Sequence, residues 1–179
     1  LIICITSLSV AQAQELLFSE DFNACALPDG WVADLSGYPD AAWYVGTPQN
    51  HASDGSTIDG TCMLIMDDDA TGDNTAPWLL KLSTPAFGAP QFTTINLSVY
   101  VHCRNYDNAA SFKIFAFDGA ELIELATWQT WATHTGPQFS QFIRFSADLS
   151  FFANENMYLL FQYEDGGSFG WWAGIDNIE

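Results

Sequence analysis

Basic side chains are nearly absent from this sequence, which has 4 lysine and arginine residues against 22 aspartate and glutamate residues. The formal net charge is −18 at pH 7. Nucleic acid is therefore a poor partner, because phosphate contacts need clustered lysine and arginine. An anionic membrane surface is disfavoured for the same reason. This acidity suits an extracellular protein, a cation-binding protein, or both.

Long hydrophobic runs are also missing. The apolar run Leu1–Val10 is about half as long as the ~20 residues that a membrane-spanning helix needs. It is followed by Ala11-Gln12-Ala13, which fits the cleavage site of a secretory signal peptide. We therefore expect residues 1–13 to be the end of a truncated signal peptide and residues 14–179 to be one exported domain.

Cysteine is scarce, and Cys25, Cys62 and Cys103 follow the expected signal peptide. None of them has the CxxC or Cys/His spacing of a zinc site. An odd number in an exported protein allows one disulfide and one free thiol. We predict a Cys25–Cys62 disulfide, because both residues flank loops near the start of the domain. Cys103 lies in a strand-like run and is predicted to be a small buried hydrophobe.

Catalytic motifs are missing as well. His51, His102 and His134 are scattered, and no GxSxG nucleophile elbow occurs. Carboxylates are plentiful, but nothing in the sequence singles out the pair that a glycosidase needs. We expect no enzyme active site.

Apolar residues, in contrast, make up 49% of the chain and aromatic residues 15%, so a substantial core is available. Residues 93–103 alternate apolar and polar side chains, which indicates a half-buried antiparallel strand. Asp118-Gly119 between two such runs indicates a hairpin, and residues 15–22 read as a first strand. With roughly nine or ten strands and little helix, the sequence predicts an all-β antiparallel sandwich, a jelly roll.

Three consecutive carboxylates, Asp67, Asp68 and Asp69, end the apolar run Met63–Met66. Each pair repels by about 1–3 kcal/mol at the effective dielectric of a protein surface. A hard cation with oxygen ligands would offset this repulsion. The loop is not an EF-hand, because Trp78 occupies the position of the bidentate glutamate. A solvated acidic turn is the alternative, and the choice stays open at this point.

Several short phrases occur in the order of one known family pattern. They are Glu20-Asp21-Phe22, Leu27-Pro28-x-Gly30-Trp31, Asp67-Asp68-Asp69-Ala70-x-Gly72, Leu82-Ser83-Thr84-Pro85-Ala86-Phe87, Phe117-Asp118-Gly119 and Trp172-x-Gly174-Ile175-Asp176-Asn177-Ile178. Over residues 16–179 the chain thereby resembles the jelly-roll module of choice-of-anchor J or cleaved-adhesin type, which is related to MAM domains. Such modules occur in exported bacterial surface proteins, including the adhesin regions of gingipains.

The resemblance implies a non-catalytic module that binds structural calcium and serves adhesion, or is an accessory domain of a larger secreted protein. Many such modules carry a C-terminal type IX sorting or anchoring segment. Because Glu179 falls where the last predicted strand should still be running, we expect further domains of the same chain beyond it. The cysteines differ from those of MAM domains, so the MAM disulfide pattern is not carried over.

Asp176 follows Trp171 and Trp172 in the last predicted strand, where a lone carboxylate is costly to bury. The first and last strands of a jelly roll are often neighbours, which would bring the first-strand acids close to Asp176. Partly on the strength of the resemblance, we predict one or more structural calcium ions. The candidate ligands are Glu20, Asp21, Asp67, Asp68, Asp69 and Asp176. The alternative is that Asp176 caps a turn or accepts backbone hydrogen bonds.

Trp128 and Trp131 lie in a loop-like stretch and form a candidate platform for stacking sugars. The alternative is that both are core residues, as large aromatics in β-sandwiches mostly are. The sequence thus predicts an extracellular or cell-surface adhesion or ligand-binding module with structural calcium, whose partner is a glycan or a host or matrix protein. A carbohydrate-binding accessory domain of a secreted hydrolase or protease is the first alternative, and a purely structural spacer is the second.

Overall fold

In a computed structural model, the described part of the chain forms ten β-strands. This structure describes residues 15–34, 43–47, 58–68, 77, 79–89, 94–105, 109–129, 142–153, 156–167 and 170–179, with the backbone alone at 104–105. The strands are β1 (Val32–Asp34), β2 (Trp43–Gly46), β3 (Met63–Asp67), β4 (Leu79–Ser83), β5 (Asn96–Asn105), β6 (Ser111–Phe117), β7 (Leu122–Trp128), β8 (Ile143–Asp148), β9 (Tyr158–Glu164) and β10 (Gly170–Asp176). A three-residue 3-10 helix, Ser150–Phe152, follows β8.

The strands form two antiparallel five-stranded sheets that pack face to face. The first sheet has the order β1-β4-β9-β6-β7, and the second sheet has the order β2-β3-β10-β5-β8. Neighbouring strands in each sheet are mostly far apart along the chain, which is the crossing pattern of a jelly roll. The predicted β-sandwich is confirmed, and its central strands β9 and β10 come from the end of the chain.

Alternation of side chains explains why these segments are strands and where the core lies. In β6, Phe112, Ile114 and Ala116 point inward and are buried, whereas Lys113 and Phe115 between them point outward and are partly exposed. The predicted alternation of β5 is confirmed in the same way. Each large side chain that is buried between the sheets contributes about 1.5–3 kcal/mol to folding.

The predicted hairpin at Asp118-Gly119 is also confirmed. The Asp118 amide donates to the Glu121 carbonyl at 3.1 Å, and Gly119 has a φ of 95°, which favours glycine. The predicted first strand is reduced to an isolated antiparallel bridge between Glu20 and Ile178. This bridge nevertheless places the start of the domain beside its last strand, as expected for a jelly roll.

The described part of the chain contains no helix that is both long enough and apolar enough to cross a bilayer.

Candidate functional site

Three segments meet where the two ends of the domain come together. Glu20 pairs with Ile178 through two backbone hydrogen bonds of 3.0 and 2.8 Å. A disulfide joins Cys25 to Cys62, the pair that the sequence analysis proposed. The disulfide fixes the segment that precedes β3 against the N-terminal segment. Cys103, also as expected, is buried, and it is not part of a disulfide.

Four carboxylates lie at this meeting point, and we call them the acidic junction: Glu20, Asp21, Asp59 and Asp176. Asp176, the last residue of β10, has no exposed surface. Its Oδ1 accepts a hydrogen bond from the Asn177 amide at 2.9 Å. Its Oδ2 is buried and has no hydrogen-bond partner among the described residues. A buried carboxylate oxygen without a partner is costly, because its lost hydration is not replaced.

The electrostatic state of Asp176 follows from this environment. Its pKa is raised from 3.8 to about 7, chiefly because burial disfavours the charged form. The Asn177 hydrogen bond opposes this shift, and the negative charges of Asp59, Asp21 and Glu20 add to it. The acidic junction therefore carries unbalanced negative charge around one buried oxygen.

The other three carboxylates are held by short local hydrogen bonds. Glu20 Oε1 accepts from the Phe22 amide at 2.7 Å, and Asp21 Oδ1 accepts from the Asn23 amide at 3.1 Å. The Thr61 hydroxyl and amide donate to Asp59, and these bonds lower the pKa of Asp59.

The backbone is strained at the same place. Phe22, Cys25 and Asn177 have φ values of 50°, 53° and 48°, and they are the non-glycine residues of the described chain with positive φ. Such a conformation costs about 1–3 kcal/mol per residue and persists where surrounding contacts impose it. Strain of this kind often accompanies a functional site.

Calcium is the metal that suits an all-oxygen donor set. The four carboxylates of the acidic junction supply such a set, and the orphaned Asp176 Oδ2 could accept an ion. However, no three histidine, cysteine, aspartate or glutamate side chains among the described residues lie close enough together to hold a metal ion as they stand. The donor chemistry thus fits calcium, whereas ion binding would require the carboxylates to move closer together.

The predicted calcium ligands Asp67 and Asp68 do not share a site with Asp176. Asp67 pairs in register with Trp172, four residues before Asp176 on β10, so the two acids are separated by about 13 Å along the strand. Asp68 lies at the same end as Asp67, where Tyr163 donates a hydrogen bond to it. One ion cannot contact both ends of β10, so this prediction is corrected. Asp69 lies outside the described residues.

The predicted sugar platform also requires a correction. Trp128 ends β7 and is 7% exposed, because its side chain points into the core. It stacks on Phe112 with ring centroids 5.7 Å apart and meets Phe145 edge to face. The core alternative therefore holds for Trp128. Trp131 lies outside the described residues.

Asp59 is the member of the acidic junction that sequence reasoning missed. It lies in a polar stretch with no strand pattern, but it precedes Cys62 by three residues. Cys25 in turn follows Glu20 and Asp21 closely. The proposed Cys25–Cys62 disulfide was therefore a signal that could have placed Asp59 beside the first acids.

Comparisons with known proteins show the fold. No family model matches this sequence, and no curated protein does. Among solved structures, a cleaved adhesin domain of Lys-gingipain from Porphyromonas gingivalis is similar, with a TM-score of 0.66 and 14% identity. The match covers 90% of this chain and 95% of that domain.

Two carbohydrate-binding modules are similar as well. The CBM22-1 xylan-binding domain from Paenibacillus barcinonensis has a TM-score of 0.55 and 16% identity, over 94% of this chain and 95% of that one. A CBM61 module solved with β-1,4-galactotriose has a TM-score of 0.58 and 14% identity, over 88% and 91%. At these identities the likeness shows that the chain shares the jelly-roll fold of cleaved adhesins and carbohydrate-binding modules. The relation to choice-of-anchor J and MAM domains remains a prediction.

Proposed function

We propose that this chain is a non-catalytic, extracellular ligand-binding module that is stabilised by a calcium ion at the acidic junction. The observation that carries the proposal is the buried, unpartnered Oδ2 of Asp176 beside three further carboxylates. An ion at this oxygen would replace its missing hydrogen bond and neutralise the surrounding charge. Glu20, Asp21, Asp59 and Asp176 are the side chains that would hold it.

The ion would have a structural role. The N-terminal segment, the loop before β3 and the end of β10 each supply at least one acid, so a shared ion would tie all three together. The strained residues Phe22, Cys25 and Asn177 lie within or next to these segments. Ion binding would offset part of their backbone strain.

Export is supported by the Cys25–Cys62 disulfide, because disulfides persist in oxidising compartments. A non-catalytic role is supported by the histidine that the structure describes. His102 is fully buried and stacks on Trp172, with ring centroids 3.7 Å apart and planes at 4°. A side chain held in this way is not presented to a substrate.

Carbohydrate is the ligand class that we favour over a host or matrix protein. The specific support is that several proteins of the same fold were solved as sugar binders, including the CBM61 module with β-1,4-galactotriose and a CBM27 module with mannohexaose. A role as accessory domain of a larger secreted enzyme is the corresponding alternative to a role in adhesion.

The calcium proposal is tested by titrating calcium into the metal-free protein in a calorimeter. We expect one saturable site, and we expect Asp176→Asn to abolish it. Asp118→Asn is the matched control, because the Asp118 carboxylate accepts hydrogen bonds from the amides of its own hairpin turn and is not among the charges that act on Asp176. No saturable heat in the wild type, or equal binding by Asp176→Asn, would overturn the proposal.

A further inference from the structure

The two sheets differ in how much of their outer faces they expose. On the outer face of the second sheet, Met63, Ile65 and Trp172 are fully buried in a small cluster of their own. On the outer face of the first sheet, side chains of β4, β9 and β6 are mostly partly exposed. Toward β5 and β8 the second sheet is partly exposed as well, but the first sheet offers an accessible flat surface at its centre, across β4, β9 and β6.

We infer that this outer face of the first sheet is the carbohydrate-binding surface of the module. We call it the platform and define it by Lys81 on β4, Tyr158 and Gln162 on β9, and Lys113, Phe115 and Phe117 on β6. The inference rests on the proposed function and goes further by naming where a sugar chain would lie.

The apolar half of the platform is a pair of stacked aromatic rings. Phe117 pairs in register with Tyr158, and their rings stack with centroids 4.7 Å apart and planes at 21°. On the neighbouring strand β7, Leu122 pairs in register with Phe117, and its side chain is 41% exposed. Because these side chains belong to the outward-facing set of their strands, they do not contribute to the core between the sheets. They present an apolar surface of the kind on which the C–H faces of a sugar ring can pack.

The polar half is a row of side chains that crosses three strands. Gln162 lies between Lys81 and Lys113, because β9 is paired with β4 on one side and with β6 on the other. The two lysines are therefore separated by about 10 Å across the sheet. An amide supplies both donors and acceptors and an ammonium supplies donors, which is what sugar hydroxyls require.

The local charge favours a neutral glycan over an anionic one. Lys81 and Lys113 are the two lysines of a sequence with a net charge of −18. Each faces an acid of the same sheet, since Lys113 forms a 3.6 Å ion pair with Glu124 and Lys81 pairs in register with Asp34. The row is thus polar and close to neutral, without the surplus of positive charge that an anionic polymer would need.

The arrangement predicts how a sugar chain would be held. An oligosaccharide that runs along β6 and β9 would pack one unit on Phe117 and Tyr158. Its next units would then reach the hydrogen-bonding groups of Gln162 and the lysines. Rigid strands carry every one of these side chains, so little conformational entropy would be lost on binding.

The test is affinity electrophoresis and titration calorimetry with xylohexaose, mannohexaose and β-1,4-galactotriose, together with the corresponding polysaccharides. Tyr158→Ala removes the stacking surface and Gln162→Ala removes the centre of the polar row. We expect each variant to lose at least tenfold in affinity for whichever sugar the wild type binds. The matched control is Phe151→Ala, because Phe151 is a 93% exposed aromatic on the 3-10 helix, outside the platform. The sugar affinity of Phe151→Ala should stay within twofold of that of the wild type. Circular dichroism spectra that match the wild type show that all variants fold.

The outcomes separate the inference from the function on which it rests. Sugar binding that both platform variants retain would place the site elsewhere and overturn the inference, while carbohydrate binding itself would stand. Absence of binding by the wild type would overturn the carbohydrate function and the platform together, while the calcium titration would still report on the acidic junction. A wild-type dimer that Tyr158→Ala converts to a monomer would show that a second copy covers this face, which would also overturn the inference.

Discussion

The hydroxyl of Tyr163 donates a hydrogen bond to Oδ2 of Asp68 across 3.1 Å, and this bond joins the two sheets of the sandwich. Tyr163 belongs to β9 at the centre of the first sheet, whereas Asp68 directly follows β3 of the second sheet. Both side chains are buried. Burial and the charge of Asp68 raise the pKa of Tyr163, so this phenol stays protonated and donates throughout the physiological range.

Removal of that hydroxyl should destabilise the fold. We expect Tyr163→Phe to lower the free energy of unfolding by about 1.5–3 kcal/mol, as for a hydrogen bond to a charged group. Urea denaturation at neutral pH measures this change. Tyr158→Phe is the control on the same strand, because its ring is partly exposed and faces outward. An equal loss in both variants would contradict the account.

Gly170 should tolerate no side chain. A Cβ at this position would overlap with both Asp68 Oδ2 and the Tyr163 hydroxyl. We expect Gly170→Ala to destabilise the protein by at least as much as Tyr163→Phe, since it displaces both partners. In the double variant the two losses should be clearly less than additive, because they affect one interaction. If the losses in unfolding free energy add fully in urea denaturation, then Gly170→Ala does not act through the hydrogen bond between Tyr163 and Asp68.

Trp128 should behave as a core residue. We expect Trp128→Ala to lower the free energy of unfolding by about 3–5 kcal/mol, because it leaves a cavity against Phe112 and Phe145. A conservative change, Trp128→Phe, should recover most of this loss without restoring an indole. A stable Trp128→Ala protein would refute its place in the core.

The Cys25–Cys62 disulfide should contribute strongly to stability. It closes a loop between residues 37 positions apart, which corresponds to about 4 kcal/mol in the chain-entropy account. The double variant with serine at both positions should therefore unfold at much lower urea concentration than the oxidised wild type. Reduction of the wild type should produce a similar loss and should leave the double variant unchanged.

Asp176 should make the metal-free protein less stable as the pH rises. Its pKa is about 7 in the folded protein and 3.8 without the fold, so the folded state binds more protons between these values. Stability from this group is therefore fully present below about pH 4 and is lost as the pH rises through 7. In chelator, the unfolding free energy of the wild type should therefore fall relative to that of Asp176→Asn as the pH rises from about 4 to above 7. If the unfolding free energies of the two proteins change with pH in parallel, the raised pKa of Asp176 is contradicted.

Much of the fold could be predicted from local pattern. The alternation of β5 and the Asp118-Gly119 hairpin each depend on a few neighbouring residues, and the structure reproduces both. The polar stretch after Trp128 predicts a loop at this position, whereas in the structure Trp128 ends β7 with its side chain on the inward face, where it is buried. The polarity of the neighbouring residues therefore gives the wrong prediction for Trp128, and extending the alternation of β7 by one more residue gives the right one.

The acidic residues show the limit of such reasoning. Glu20 could be placed near Asp176 from the sequence, because the first and last strands of a jelly roll are often neighbours. The register between β3 and β10 decides that Asp67 and Asp68 lie at the far end of β10, and sequence spacing does not contain that register. The position of Asp59 is set by the loop that the Cys25–Cys62 disulfide fixes, and the residues around Asp59 show no strand or helix pattern from which it could be predicted.

Thermal unfolding with calcium and with chelator tests the central claim most directly. Binding to the folded state alone, at a hundred to a thousand times the dissociation constant, stabilises by about 3–4 kcal/mol, which corresponds to a rise in Tm of about 6–12 °C for a chain of this size. We predict that rise for the wild type and for Asp118→Asn, and none for Asp176→Asn. Equal unfolding temperatures with calcium and with chelator in the wild type would contradict the account and leave the acidic junction without a metal.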